Sequence, residues 1–195
     1  YEWLKNTGTK IPVHYEGVVR TKRFCYDVIS EMYTDTYSME AMLEGKRTRT
    51  YNGVTKKCKE YNKHPFFLCE YCHAMGNSCG DLMAYDDIFY SDPRYAGGYI
   101  WEWCDHGIAK KRGSNVLKYG ANPFVLALED DEYFAYGGDF GDVPHSSTTC
   151  LNGIVRADRV PHPQYYEVQK VNQFLNFELV SSSNIHVINS YHQNK

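Results

Sequence analysis

Four short apolar runs constrain this chain more than any other feature, because each closes on polar residues and each is set off from the next by a helix-like or charged connector. They lie at residues 11–16, 27–33, 66–71 and 97–104. Short β-branched and aromatic strands alternating with helical connectors spell repeated βα units of a parallel sheet. Ligands of such sheets sit at the carboxyl ends of the strands. His14 and Glu16, Glu31 and Tyr33, Glu70 and His73, and Trp101 and Glu102 all fall at such ends, so the polar residues are expected on one rim. Four units fill most of the chain, and eight at this spacing would need roughly 330 residues, within the range of a decorated (β/α)8 barrel. Half a barrel is the expectation.

Connector by connector, residues 1–7 read as a helix tail stopped by Gly8, 39–44 and 54–61 as helical, 81–90 as an amphipathic helix, and 165–175 as another, with Tyr166, Val168, Val171 and Leu175 at helical spacing. The long connector after Cys104 carries a basic stretch (Lys110, Lys111, Arg112) and an acidic one at 129–132, both expected as solvated loop. Runs at 177–180 and 185–188 alternate around Ser181-Ser182-Ser183-Asn184, as a β-hairpin does. Residues 1–175 are therefore assigned to the barrel and 176–195 to the start of a separate β domain.

Composition excludes some partners. With 21 Lys+Arg against 24 Asp+Glu the net charge is −3, too mild for a nucleic-acid surface, and no stretch reaches the roughly 18 uncharged apolar residues of a membrane span. Seven irregularly spaced cysteines cannot all pair internally, so reduced thiols are expected, with a lean toward a reducing cytosol. Aromatic residues make up 15%, a richness that suits gripping sugars or other proteins. The chain opens at Tyr1 without an initiator Met, and it is read as a piece of a longer protein.

Chemistry concentrates in Cys69-Glu70-Tyr71-Cys72-His73-Ala74-Met75-Gly76-Asn77-Ser78. A carboxylate ending a buried strand is costly to desolvate unless it is hydrogen-bonded or used, so Glu70 is either catalytic or held in a structural pair. Cys69-x-x-Cys72 raises zinc or redox chemistry, but residues three apart on a strand point to opposite faces, whereas Leu68 and Glu70 share one. No second such pair lies at zinc-finger spacing.

The segment resembles the nucleophile motif of the large β-galactosidases of glycoside hydrolase family 2. The resemblance continues, in order, through Pro12-Val13-His14-Tyr15-Glu16-Gly17, Ile29-Ser30-Glu31-Met32-Tyr33, residues 97–105, Ala135-Tyr136-Gly137-Gly138-Asp139-Phe140-Gly141-Asp142, Leu151-Asn152-Gly153-Ile154-Val155, and residues 157–168. It implies the C-terminal half of a (β/α)8 TIM barrel followed by the first strands of a β-sandwich. It implies Glu70 as the catalytic nucleophile, Tyr33 as the tyrosine beside it, His73 as a galactose-hydroxyl ligand and Trp101 as the aromatic wall of the sugar site. It implies an alkali-metal site (Na+ or K+) using Asn152 and the carbonyl of Thr149, where the family often carries Phe; a carbonyl ligand survives that substitution. The family's acid/base glutamate and most Mg2+ ligands belong to strands upstream, and Glu16, Glu31 and Glu102 are not assigned to the acid/base role but read as rim charges or partners of the site residues.

The activity so implied is retaining hydrolysis of terminal β-D-galactosides by a homo-oligomeric parent, with the chain alone inactive. A tyrosine hydroxyl donating to the nucleophile would favour its ionised state. Two other readings stand beside it: a sugar-binding, non-catalytic fragment, and a β-glucuronidase-like activity of the same family. Four strands alone would leave two open edges and an uncovered inner face, so the remainder of the parent is the expected partner.

Overall fold

The computed structural model describes residues 1–16, 25–46, 48–51, 54–57, 63–114 and 128–191. Its organising unit is a parallel sheet of three strands, β1 (Ile29–Met32), β4 (Phe66–Tyr71) and β5 (Tyr95–Ile100), in the order β1-β4-β5. Single parallel bridges extend it on both sides, His14 to Val28 beyond β1 and Cys104 to Val155 after β5. Helix α2 (Thr36–Leu43) follows β1 and α3 (Leu82–Ser91) follows β4, while α1 (Glu2–Asn6) opens the chain. The βα order read from the apolar runs is therefore present, as a parallel α/β half-barrel.

The sheet forms because its outer face has helices to bury against. Ile29 and Leu68 are fully buried, and Phe66, Met39, Met42, Leu82, Ile88, Tyr71 and Tyr95 complete one core between sheet and helices. Full burial of a Leu or Ile side chain contributes about 1.5–3 kcal/mol. Asp35 caps α2 through its side chain, which accepts from the Ser38 amide at 2.8 Å. Gly98 sits where a Cβ would meet the Tyr71 ring at 2.9 Å, so its missing side chain makes room for that aromatic.

Four expectations are corrected. Residues 11–16 make one bridge rather than a strand: Pro12 has no amide hydrogen, and the Val13 amide donates to the Asp27 carboxylate at 2.7 Å instead of to a ladder. Residues 54–57 are not helical but form β3 (Val54–Lys57), antiparallel to β2 (Thr48–Tyr51); the expected helix at 58–61 lies outside the described residues. The legible signal was Asn52-Gly53, the dipeptide favoured in two-residue hairpins. Helix α4 spans Gln164–Val171, shorter than expected, and Leu175 instead begins β8 (Leu175–Ser181), which pairs antiparallel with β9 (Asn184–Asn189).

The last correction concerns the long connector, which contains a second antiparallel pair, β6 (Ile108–Lys111) with β7 (Glu132–Ala135). Lys110 is therefore not solvated loop: it is 6% exposed, donates to the Asp139 carbonyl at 2.6 Å and lies over the Phe140 ring. Lys111 pairs with Asp131 at 2.5 Å and Arg112 stacks on Tyr133, so the two charge runs meet each other across the hairpin. No helix among the described residues is long and apolar enough to cross a membrane.

Candidate active site

Strand parity alone does not give the orientation of Glu70. The β1–β4 register slips between Glu31 and Met32, whose partners are Leu68 and Glu70, so a bulge at Cys69 breaks the alternation. Leu68 stays in the helix-covered core while the Glu70 carboxylate meets the Tyr33 phenol. The expectation that Leu68 and Glu70 share a face is corrected by that slip. Cys69 turns to Ser30, whose hydroxyl it meets and which also lies 2.5 Å from His14 Nε2; burial pushes the Cys69 thiol up.

Tyr33 follows β1 in the left-handed region (φ 52°), and its amide donates to the Glu70 carbonyl at 2.8 Å. Main chain and phenol thus grip the same residue. Burial first, then the hydrogen bond to Glu70 and its charge, push the Tyr33 hydroxyl well above its usual range, so it stays protonated and donates. The Tyr33 ring lies 6.1 Å from the ring of His73, which follows β4 by two residues. Ser78 Oγ bonds the His73 carbonyl and, at 2.7 Å, that of Met75, folding the loop back on itself.

Trp101 follows β5 and joins the rim through its backbone: its amide donates to the Tyr71 carbonyl at 3.1 Å, and its carbonyl accepts from Ala74 at 2.7 Å. The next residue, Glu102, donates its amide to the Asn152 carbonyl at 2.9 Å. Asn152 is 2% exposed, and its amide nitrogen donates to the Thr149 carbonyl at 2.6 Å. Tyr33 thus meets Glu70 and His73, and Asn152 meets Thr149, while Trp101 is tied to them only through main-chain bonds, its own to Tyr71 and Ala74 and that of Glu102 to Asn152.

Residues that motif reading did not single out hold this rim in place. Asp105 accepts from the Gly153 amide at 2.8 Å with one oxygen and pairs with His162 Nε2 at 2.9 Å with the other. Gly153 has no alternative residue: a Cβ there would lie 2.2 Å from the Asp105 nitrogen. Glu102 Oε2 pairs with His106 at 2.7 Å, while its buried Oε1 has no hydrogen-bond partner among the described residues. The signal for the Asp105 cluster was that Asp105, Gly153 and His162 each lie in a block of the family resemblance.

One observation bears on the alkali-metal expectation. The buried Asn152 Oδ1 has no hydrogen-bond partner among the described residues, and it adjoins the Thr149 carbonyl through the side chain's own amide. Oxygen donors of this hardness fit an alkali cation. For a divalent ion, no group of three or more His, Cys, Asp or Glu side chains suited to a metal occurs among the described residues.

Comparison with known proteins adds what geometry alone cannot supply. Beta-galactosidase 2 of Enterobacter cloacae is 37% identical over 185 residues, covering 94% of this chain and 16% of that protein. Beta-galactosidases of Pectobacterium atrosepticum and Leuconostoc mesenteroides are each 34% identical, covering 91% and 92% of this chain and 15% of their own lengths. The chain thus spans about a sixth of the curated relatives it matches. The family described as "Glycosyl hydrolases family 2, TIM barrel domain" matches residues 1–177, nearly the whole length, and the chain belongs to that family.

Proposed function

We propose that the protein containing this chain is a retaining β-galactosidase that hydrolyses terminal non-reducing β-D-galactosides through a covalent glycosyl-enzyme intermediate. The observation that carries this reading is the Glu70 carboxylate at the end of β4 with the Tyr33 phenol bonded to it. The names of the relatives supply the galactoside.

Glu70 attacks the anomeric carbon as the bond to the leaving oxygen breaks, and a second carboxylic acid protonates that oxygen. Water, deprotonated by the same second group, then attacks the anomeric carbon and frees Glu70. Retaining enzymes hold the two carboxyl groups about 5–5.5 Å apart. The second comes from outside this chain, which alone does not turn over. Tyr33 donates to Glu70 and holds the attacking oxygens in place. His73 binds a galactosyl hydroxyl, and Trp101 gives the sugar's C–H face a flat apolar wall. Asn152 Oδ1 and the Thr149 carbonyl would hold a sodium or potassium ion, which supplies a fixed positive charge for a sugar oxygen. Mg2+ ligands lie elsewhere in the parent.

The β8–β9 hairpin, with Phe177, Leu179, Ile185 and Val187 each more than half exposed, begins a separate β domain, and the rest of the parent covers the open sheet. The test is hydrolysis of a chromogenic β-galactoside by the full-length protein. Activity is expected to be lost in Glu70→Gln and kept in Cys69→Ser. Equal activity of the two variants would overturn the assignment, and galactoside binding without cleavage by the unsubstituted protein would favour the binding reading.

A further inference from the structure

The cysteine that meets Cys72 is not Cys69, three residues before it, but Cys79, seven residues after. Cys72 leaves β4 in the left-handed region (φ 47°), and Cys79 reaches the start of α3 in the same region (φ 72°). Their side chains are in thiol-to-thiol hydrogen-bond contact, and Cys72 Sγ also lies 3.8 Å from the Gly80 carbonyl. Cys79 is 4% exposed within the main core, and Cys72 packs against that core. The backbone that brings them together is fixed: Ala74 is bonded through its amide to Trp101 and through its carbonyl to Gln164 Nε2 at 3.0 Å. Both sulfurs are free thiols.

We propose that Cys72 and Cys79 are a disulfide-forming pair, a redox modification site that closes the loop bearing His73. The oxidant is hydrogen peroxide, small enough to reach a nearly buried sulfur. The Cys79 thiolate attacks the nearer peroxide oxygen, the O–O bond breaks, and the departing hydroxide takes a proton to become water. Cys79 is now a sulfenic acid. The Cys72 sulfur attacks the Cys79 sulfur, the S–O bond breaks, and the hydroxide released takes the Cys72 proton. Two thiols are oxidised, one peroxide is reduced to two waters, and the S–S bond forms at about 2 Å. The order follows from the pair: the hydrogen bond from Cys72 lowers the Cys79 thiol, and the same bond raises that of Cys72. In a reducing compartment the pair rests as thiols.

The inference is independent of Glu70, and its test reads covalent structure rather than activity. The full-length protein, freed of reductant, is treated with hydrogen peroxide, alkylated and digested with trypsin. Residues 64–94 come off as one peptide carrying Cys69, Cys72 and Cys79, since no Lys or Arg interrupts them. The expected peptide carries one alkyl group in place of three and gains about 2 Da, for two hydrogens, when dithiothreitol reduces it. Cleavage after Tyr71 then releases Cys69 alkylated, while cleavage after Met75 leaves the Cys72 and Cys79 pieces joined. The gain on reduction should persist in Cys69→Ser and vanish in Cys79→Ser. Recovery of Cys72 and Cys79 as alkylated thiols, or a bridge from Cys69 to either, would overturn the proposal; the unsubstituted protein alone decides it if a variant fails to fold.

Discussion

Tyr33 holds Glu70 twice, its amide donating to the Glu70 carbonyl at 2.8 Å and its phenol to the Glu70 carboxylate. The first contact fixes where β4 ends relative to β1, and the second fixes where the carboxylate points. A phenylalanine at position 33 keeps the first and deletes the second. Hydrogen bonds to a charged group contribute about 1.5–3 kcal/mol, so kcat of the full-length protein toward a chromogenic β-galactoside should fall roughly 10- to 100-fold in Tyr33→Phe. Thermal stability should change little. A variant with unchanged kcat would remove Tyr33 from the catalytic step.

Gly153 is where the Asn152 turn passes against the backbone of Cys104 and Asp105. Gly153→Ala places a carbon 2.2 Å from the Asp105 nitrogen, a clash with main chain that no rotamer relieves. Overpacking of this kind costs about 1–3 kcal/mol or more. Asp105→Ala leaves the Gly153 amide and His162 without their carboxylate, at about 1–3 kcal/mol. Both should lower the melting temperature of the full-length protein and weaken any dependence of its activity on sodium or potassium. An unshifted melt in Gly153→Ala would contradict the described turn.

Acid should loosen the junction of α1 with β1. Lys5 at 2.5 Å, then the Val13 amide and the Tyr1 hydroxyl, each at 2.7 Å, hold the Asp27 carboxyl at about 2, below its ordinary 3.8. A carboxyl whose folded pKa is depressed adds stability above its unfolded pKa, and that contribution fades as the pH falls toward the folded value. The contribution is therefore complete at neutral pH and disappears between about 4 and 2. Melting temperatures measured across that range should fall less steeply in Asp27→Asn than in the unsubstituted protein, with the variant already less stable at neutral pH. Parallel curves would exclude Asp27 as the group responsible.

What could be read from the sequence followed from local patterning. The runs at 27–33, 66–71 and 97–104 became β1, β4 and β5 because an apolar run between turn signals needs little tertiary information to become a strand. The same logic failed at 54–57, where charged residues looked helical and the pairing partner decided otherwise. Parity failed at Glu70 because a bulge is a property of two strands and not of one. The six proposed site residues came from motif resemblance; Tyr33 meets Glu70 and His73, Asn152 meets Thr149, and Trp101 is joined to them by main-chain bonds alone. The Asp105–Gly153–His162 cluster was out of reach of local reading, since its bonds join positions 48 and 57 apart.

The account rests on Glu70 bonding covalently to a galactosyl carbon. The direct measurement is mass spectrometry of the full-length protein after incubation with an activated 2-deoxy-2-fluoro-β-galactoside, which slows release of the glycosyl-enzyme. One fluorosugar should be found on the tryptic peptide spanning residues 64–94, with fragmentation placing it on Glu70. A label on a different carboxylate, or hydrolysis of galactosides by a protein that never acquires one, would contradict the account.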